Sequence, residues 1–198
     1  MQPVISRHSM LNLESPRLIL TPQQNDFNLS DLESFTAQLS DHHFLGNELE
    51  ATNNYRCYET GDDFLHLITF LGCSPTLFAN DDSDELKTFI SITQHYTIQF
   101  GNSSPIPPAR CPHCKKTDKN WPDYFQHWST DNSTTENCPH CKQDFNFAQM
   151  KWKKNGGYGQ LFIQIHGIQE QLAVPNQSFI DKLESLTNTN WEYFFAAG

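Results

Sequence analysis

Residues 111–115 read Cys111-Pro112-His113-Cys114-Lys115, and residues 138–142 repeat them as Cys138-Pro139-His140-Cys141-Lys142, with 23 residues between the inner cysteines. A Cys-x-x-Cys turn brings two thiolates within reach of one metal ion while nearby backbone N–H groups hydrogen-bond the sulfurs. Two such turns close a tetrahedral four-sulfur site. Proline after the first cysteine presets φ for the turn. A zinc ion with four thiolates carries a net charge of about −2, and Lys115 and Lys142, just outside each knuckle, are placed to offset part of it. The pattern assigns Cys111, Cys114, Cys138 and Cys141 to one structural Zn2+ ion.

This segment resembles the zinc-ribbon and rubredoxin-like class, whose members pair two Cys-Pro-x-Cys knuckles on facing hairpins. The resemblance covers residues 108–150 only and implies a fold element and a metal site, without an activity. Rubredoxins typically carry glycine after the second cysteine of each knuckle, where Lys115 and Lys142 stand here; that departure points away from iron electron transfer. Taken singly, each CPHC also looks like the active dithiol of a thioredoxin-fold oxidase, in which a helix N-terminus lowers the thiol pKa. No β-α-β frame surrounds either copy, so a thiol oxidoreductase is the third reading.

Outward from the knuckles, residues 109–154 hold eight of the 13 basic residues and five acids, a balance of +3 that leaves −13 on the rest of the chain. The same segment carries Trp121, Tyr124, Phe125, Trp128, Phe145, Phe147 and Trp152. Basic residues interleaved with aromatics can form a stacking surface for single-stranded nucleic acid. Lys115, Lys116, Lys119, Trp121, Trp128, Lys151, Trp152 and Lys153 are the candidates. The alternative is that a small module with little core uses these rings for its own packing. The acidic remainder, with Glu48, Glu50, Asp62, Asp63, Asp81, Asp82, Asp84 and Glu85, offers a surface for a basic protein partner or simply solvated loops.

The flanking pattern predicts an α+β body with a mixed or antiparallel sheet and two or more short helices. Ser30 and Glu33 form a capping-box pattern ahead of Leu32, Phe35 and Leu39, predicting a helix over 31–40. Residues 1–28 show no clear period, and polar residues 41–61 read as irregular. Phe64–Leu71 reads as a buried central strand. From Ile90 to Phe100 the alternation predicts a strand with one wet face. Gly101–Pro108 reads as a linker and Asn155-Gly156-Gly157 as a turn. A third strand follows at Leu161–His166, then a helix carrying Phe179, Ile180, Leu183 and Leu186, and a last strand through Trp191, Tyr193 and Phe195. The expected organisation is a discontinuous acidic body (1–107 and 155–198) with the ribbon (108–154) inserted into a sheet connection.

The opening residues lack the basic start and apolar core of a signal peptide, and no apolar run approaches the roughly 18 residues of a membrane span. The expectation is a cytoplasmic chain without membrane contact, in which Cys57 and Cys73 are free core thiols. His66, His95 and His166 fall on expected strands; they would form a site if those strands converged, and otherwise read as hydrogen-bonded sheet histidines. No nucleophile elbow, His-Glu-x-x-His, Walker pattern or dinucleotide fingerprint is present, so no residue is assigned a catalytic role. The leading reading is a non-catalytic protein-interaction protein with a four-cysteine zinc ribbon; the alternative is single-stranded nucleic-acid binding.

Overall fold

In the computed structural model the described residues are 11–24, 27–52, 55–72, 88–100, 109–131, 133–152, 156–169 and 172–196. In chain order they form β1 (Arg17–Pro22), α1 (Leu32–Asp41), β2 (Leu45–Ala51), β3 (Tyr55–Thr60), α2 (Phe64–Leu67), β4 (Ile68–Phe70) and β5 (Ile90–Phe100). The knuckle region adds β6 (Ala109–Arg110), β7 (Thr117–Asp118), α3 (Trp121–Thr130), β8 (Thr135–Asn137), β9 (Asp144–Asn146) and a single 3-10 turn, Phe147–Gln149. The chain continues through β10 (Gly156–His166), β11 (Ala173–Pro175), α4 (Gln177–Thr187) and β12 (Trp191–Ala196). The fold class is α+β.

Six strands make one antiparallel sheet in the order β12-β1-β10-β5-β3-β2. Leu18 and Leu20 of β1 face the same core as Phe35 and Leu39 of α1 and Phe179 and Leu183 of α4. Ile19 points the other way, into a second cluster with Phe162, Phe194 and Ala196. A strand buried on both faces reads as a continuous apolar run without alternation, so Leu18-Ile19-Leu20 carries no period-two signal. That is why residues 17–22 give no strand signal from sequence. Ser91 and Thr93 of β5 are also buried, at 1% and 4% exposure, so the face expected to be wet is covered along that half of the strand. His95 further along is exposed.

Other expectations are corrected as well. Residues 41–61 contain the β2–β3 hairpin at the sheet edge, whose register shifts twice. Its polar composition reflects an edge with most of β2 exposed. Phe64–Leu71 is not a central strand: Phe64–Leu67 forms one helical turn, and β4 pairs with β11 in a separate two-stranded ribbon. Phe64 and Ile68 are fully buried with Leu67 packed beside them, whereas Leu65 is 44% exposed. Inward positions at i, i+3 and i+4 are a helical pattern, which a short apolar run cannot distinguish from a strand.

Helix α1 matches the expected range, with its cap shifted by one residue. The Asp31 side chain, not that of Ser30, accepts the Ser34 N–H at 2.9 Å. In α4, Phe179, Ile180 and Leu183 are buried as expected, and Asn188 ends the helix in the left-handed region at φ 51. Strands β5 and β10 are antiparallel neighbours, with Phe100 opposite Gly156. The knuckle region therefore joins two hydrogen-bonded strands. Its own entry and exit are tied by an antiparallel bridge: Arg110 N–H donates to the Lys151 carbonyl at 2.8 Å, and Lys151 N–H returns to Arg110 at 3.3 Å. Gly156 and Gly157, expected in a turn, instead open β10 opposite Phe100 and Gln99. The linker at 101–108, Asn155, Cys73, Lys153 and the acidic run Asp81–Glu85 lie outside the described residues. No helix among the described residues is long and apolar enough to cross a membrane.

Candidate metal centre

Each knuckle sits on a two-stranded hairpin, β6–β7 for the first and β8–β9 for the second. Local hydrogen bonds close each turn in the same way. Lys115 N–H donates to the Cys111 carbonyl at 3.1 Å and Lys142 N–H to the Cys138 carbonyl at 2.9 Å. Cys111 N–H reaches the Lys116 carbonyl and Cys138 N–H the Gln143 carbonyl, both at 3.0 Å. These turns require a left-handed residue after the second cysteine, and Lys115 and Lys142 both adopt φ 62. The lysines thus occupy a conformation that glycine adopts without steric cost.

The hairpins bring four sulfurs together. One ligand atom from each of Cys111, Cys114, Cys138 and Cys141 lies within 4.8 Å of the others. Across the knuckles, Cys111 Sγ is 3.9 Å from Cys141 Sγ, and Cys114 Sγ is 3.8 Å from Cys138 Sγ. Four sulfurs bound about 2.3 Å from one ion at tetrahedral angles stand about 3.8 Å apart, so the donor set fits one thiolate-bound metal ion. The His113 N–H points at Cys111 Sγ at 3.4 Å. Burial pushes the Cys111 thiol up to about 11. At Cys138 burial also opposes ionisation, but the N–H groups of Cys141 and His140 together with the thiols of Cys111 and Cys141 bring the thiol down to about 6. The protein supplies donors that favour a thiolate inside the cluster.

Cys111 and Cys138 are buried and belong to the module's own core, with Cys114 and Cys141 at its margin. Phe147, at 0% exposure, is the hub of that core. Its ring lies 5.2 Å from Tyr158, 5.3 Å from Phe125, 5.8 Å from Trp152 and 6.1 Å from Trp128. Tyr158 comes from β10, so the module's core continues into the large sheet. Asp118 anchors α3: its carboxylate accepts the Asn120 N–H at 2.9 Å and the Tyr124 hydroxyl at 3.0 Å. Burial and the Asp118 carboxylate push the Tyr124 phenol up to about 12.

Of the residues named for nucleic-acid stacking, Trp121 and Trp152 are 7% and 4% exposed and meet edge to face at 5.6 Å. Trp128 is half-buried against Phe147 and Tyr158. These rings form the core of the module and leave no aromatic platform at Trp121 or Trp152. Lys115, Lys116, Lys119, Lys142 and Lys151 are exposed. Neither CPHC lies at a helix N-terminus, since both are turns and α3 begins at Trp121; the device that activates an oxidase thiol is lacking there.

The histidines expected on strands do not converge. His66 sits in α2 with its side chain 83% exposed, beside Asp63 at 3.4 Å, and only His166 is buried. His166 is a hydrogen-bonded sheet histidine, as the second reading had it, within a buried polar row whose other members sequence reasoning missed. Its Nε2 is 2.8 Å from Ser91 Oγ, its Nδ1 is 3.4 Å from Ser15 Oγ, and its ring stacks on Phe89 at 4.3 Å. Beside it, Arg17 donates to Gln164 at 2.9 Å and Gln164 to Thr93 at 3.1 Å. The Ser91–His166 pair has the reach of a nucleophile and its base, but at 1% and 0% exposure it is closed to a substrate. Cys57 is fully buried and its thiol is pushed up to about 12 by burial and Glu50, which makes it inert.

The chain matches no family model, no curated protein and no solved structure.

Proposed function

We propose that Cys111, Cys114, Cys138 and Cys141 hold one zinc ion with a structural role, and that the chain is a non-catalytic protein-interaction protein. The observation that carries the metal assignment is the sulfur spacing of 3.8 and 3.9 Å across the knuckles. Four protein thiolates fill a tetrahedral ion and leave no position for water or substrate. What zinc supplies is folding energy, because ligands scattered in the unfolded chain are gathered only in the folded one. The interaction role draws on the charge split between the segment 109–154 and the rest of the chain. It draws also on Glu48, Glu50 and Asp62, which are exposed on the body. The exposed lysines of the knuckles keep polynucleotide binding as the competing reading, weakened by the burial of Trp121 and Trp152.

Elemental analysis of the purified chain should find one zinc per molecule, and a strong chelator should remove it with a red shift of tryptophan emission as Trp121 and Trp152 lose their cover. Iron in place of zinc, or thiols that are freely alkylated in the metal-loaded protein, would refute the structural zinc site. Tight, salt-sensitive binding of single-stranded RNA or DNA, with no protein captured in a pull-down, would refute the interaction role.

A further inference from the structure

The second knuckle repeats the first 27 residues further along the chain, and the repetition extends beyond the cysteines. The residue before each knuckle serves the same carbonyl: Arg110 Nη1 approaches the Lys115 carbonyl at 3.5 Å, and Asn137 Nδ2 donates to the Lys142 carbonyl at 2.9 Å. Those contacts stay within one knuckle. The histidines cross. His113 Nε2 lies 3.0 Å from the carbonyl of Asp144, and His140 Nε2 lies 3.3 Å from the carbonyl of Thr117. Thr117 and Asp144 are equivalent positions, each three residues past the second cysteine of its own knuckle. Each imidazole thus grips the opposite hairpin at the same point.

A carbonyl oxygen only accepts, so Nε2 carries the proton in both rings and both bonds run from histidine to backbone. Neither bond involves a sulfur. They tie the first hairpin to the second directly, in addition to whatever the metal does. We propose that His113 and His140 are a reciprocal pair of positioning residues that hold the two knuckles together across the metal site and slow the departure of the ion. A metal leaves a four-thiolate site by losing its ligands stepwise. With the hairpins clamped, a released thiolate stays beside the ion and rebinds before a competing ligand can enter. Without the clamps, the knuckles part more readily once the first sulfur has let go. This inference rests on the reading of the four cysteines as a metal site.

The test is the rate at which the full-length, zinc-loaded chain yields its metal to excess chromogenic chelator. His113→Phe and His140→Phe should each speed release by about threefold to tenfold, the effect of one modest hydrogen bond. The double variant should exceed either one. His113→Gln and His140→Gln, whose amide N–H can reach the same carbonyl, should return to near the parent rate. The visible spectrum of the cobalt-substituted protein should be the same in all variants, because neither ring is a ligand. Phe variants that release zinc within twofold of the parent overturn the proposal. So do Gln variants as fast as the Phe ones, or a changed cobalt spectrum. If a Phe variant fails to retain zinc, its Gln partner decides: a parent-like rate supports the clamp, and equal failure removes it. A parent chain without metal overturns the metal site itself, an outcome distinct from any of these.

Discussion

Replacing Lys115 and Lys142 by glycine should leave the protein more stable than replacing them by alanine, although both exchanges remove two charges and two long side chains from the metal site. Both lysines are held at φ 62. There the Cβ of an L-residue crowds the following carbonyl at a cost of about 1–2 kcal/mol. Glycine escapes that cost but loses more freedom on folding, which returns about 0.5–1 kcal/mol. The net gain is about 0.5–1 kcal/mol per knuckle, or about 1–2 kcal/mol for the pair if they add. For a chain of this size that corresponds to a rise in Tm of about 2–8 °C.

The lysines also do something else, which the comparison must separate. Lys115 and Lys142 each follow the second cysteine of a knuckle, where with zinc bound they would offset part of the negative charge of the thiolates, and the Lys115 ammonium donates back to the Pro112 carbonyl. Lys115→Ala and Lys142→Ala lose these interactions as well while keeping the left-handed strain, so the glycine-minus-alanine difference isolates the backbone term. The assay is thermal unfolding of the zinc-loaded protein, followed by tryptophan fluorescence at fixed protein and zinc concentration. Glycine variants no more stable than the alanine variants at both positions would refute the left-handed geometry, and with it the shared hairpin turn that aims the four sulfurs.

Two further outcomes follow from the buried groups. Burial and the Arg17 charge push the His166 imidazole from its ordinary 6.5 down to about 3. The unfolded chain therefore takes up a proton near pH 6.5 while the folded one does not. The stability from the neutral ring is full above pH 6.5 and erodes between pH 6.5 and 3, by up to about 4–5 kcal/mol. Urea midpoints measured from pH 7.5 to 4 should fall for the parent and fall less for His166→Gln; equal slopes would contradict the assignment. Phe147→Ala removes the ring at the centre of the module, fully buried among four others, and should cost about 3–5 kcal/mol in urea unfolding of the zinc-loaded chain. A loss below about 1 kcal/mol would mean that Phe147 is not the hub of that core.

The metal site was legible in the sequence because its chemistry is local. Spacing within Cys111–Cys114 and Cys138–Cys141 fixes each turn, and thiolate chemistry narrows the metal, whatever surrounds them. The amphipathic helices α1 and α4 were legible for a similar reason: Leu32, Phe35 and Leu39, or Phe179, Ile180 and Leu183, write their burial into a period of 3.6.

Tertiary contacts decided the rest. Strand β1 carries no alternation because both its faces are buried. Phe64–Leu71 splits into a helical turn and a short strand because Phe64 is drawn onto Phe44, 6.0 Å away, and Ile68 into the same core, while β4 finds β11. The rings of residues 121–152 had two possible fates, a stacking surface or a core, and composition is identical for both. Only the placement of Phe147 among Trp152, Phe125 and Tyr158 selects the core. The histidine of each CPHC is silent by itself for the same reason: its partner is a backbone carbonyl on the other hairpin, and a carbonyl leaves no mark in a sequence. Which residues could bind metal was written in the chain, and what holds the two knuckles to each other and to β10 was settled by the fold.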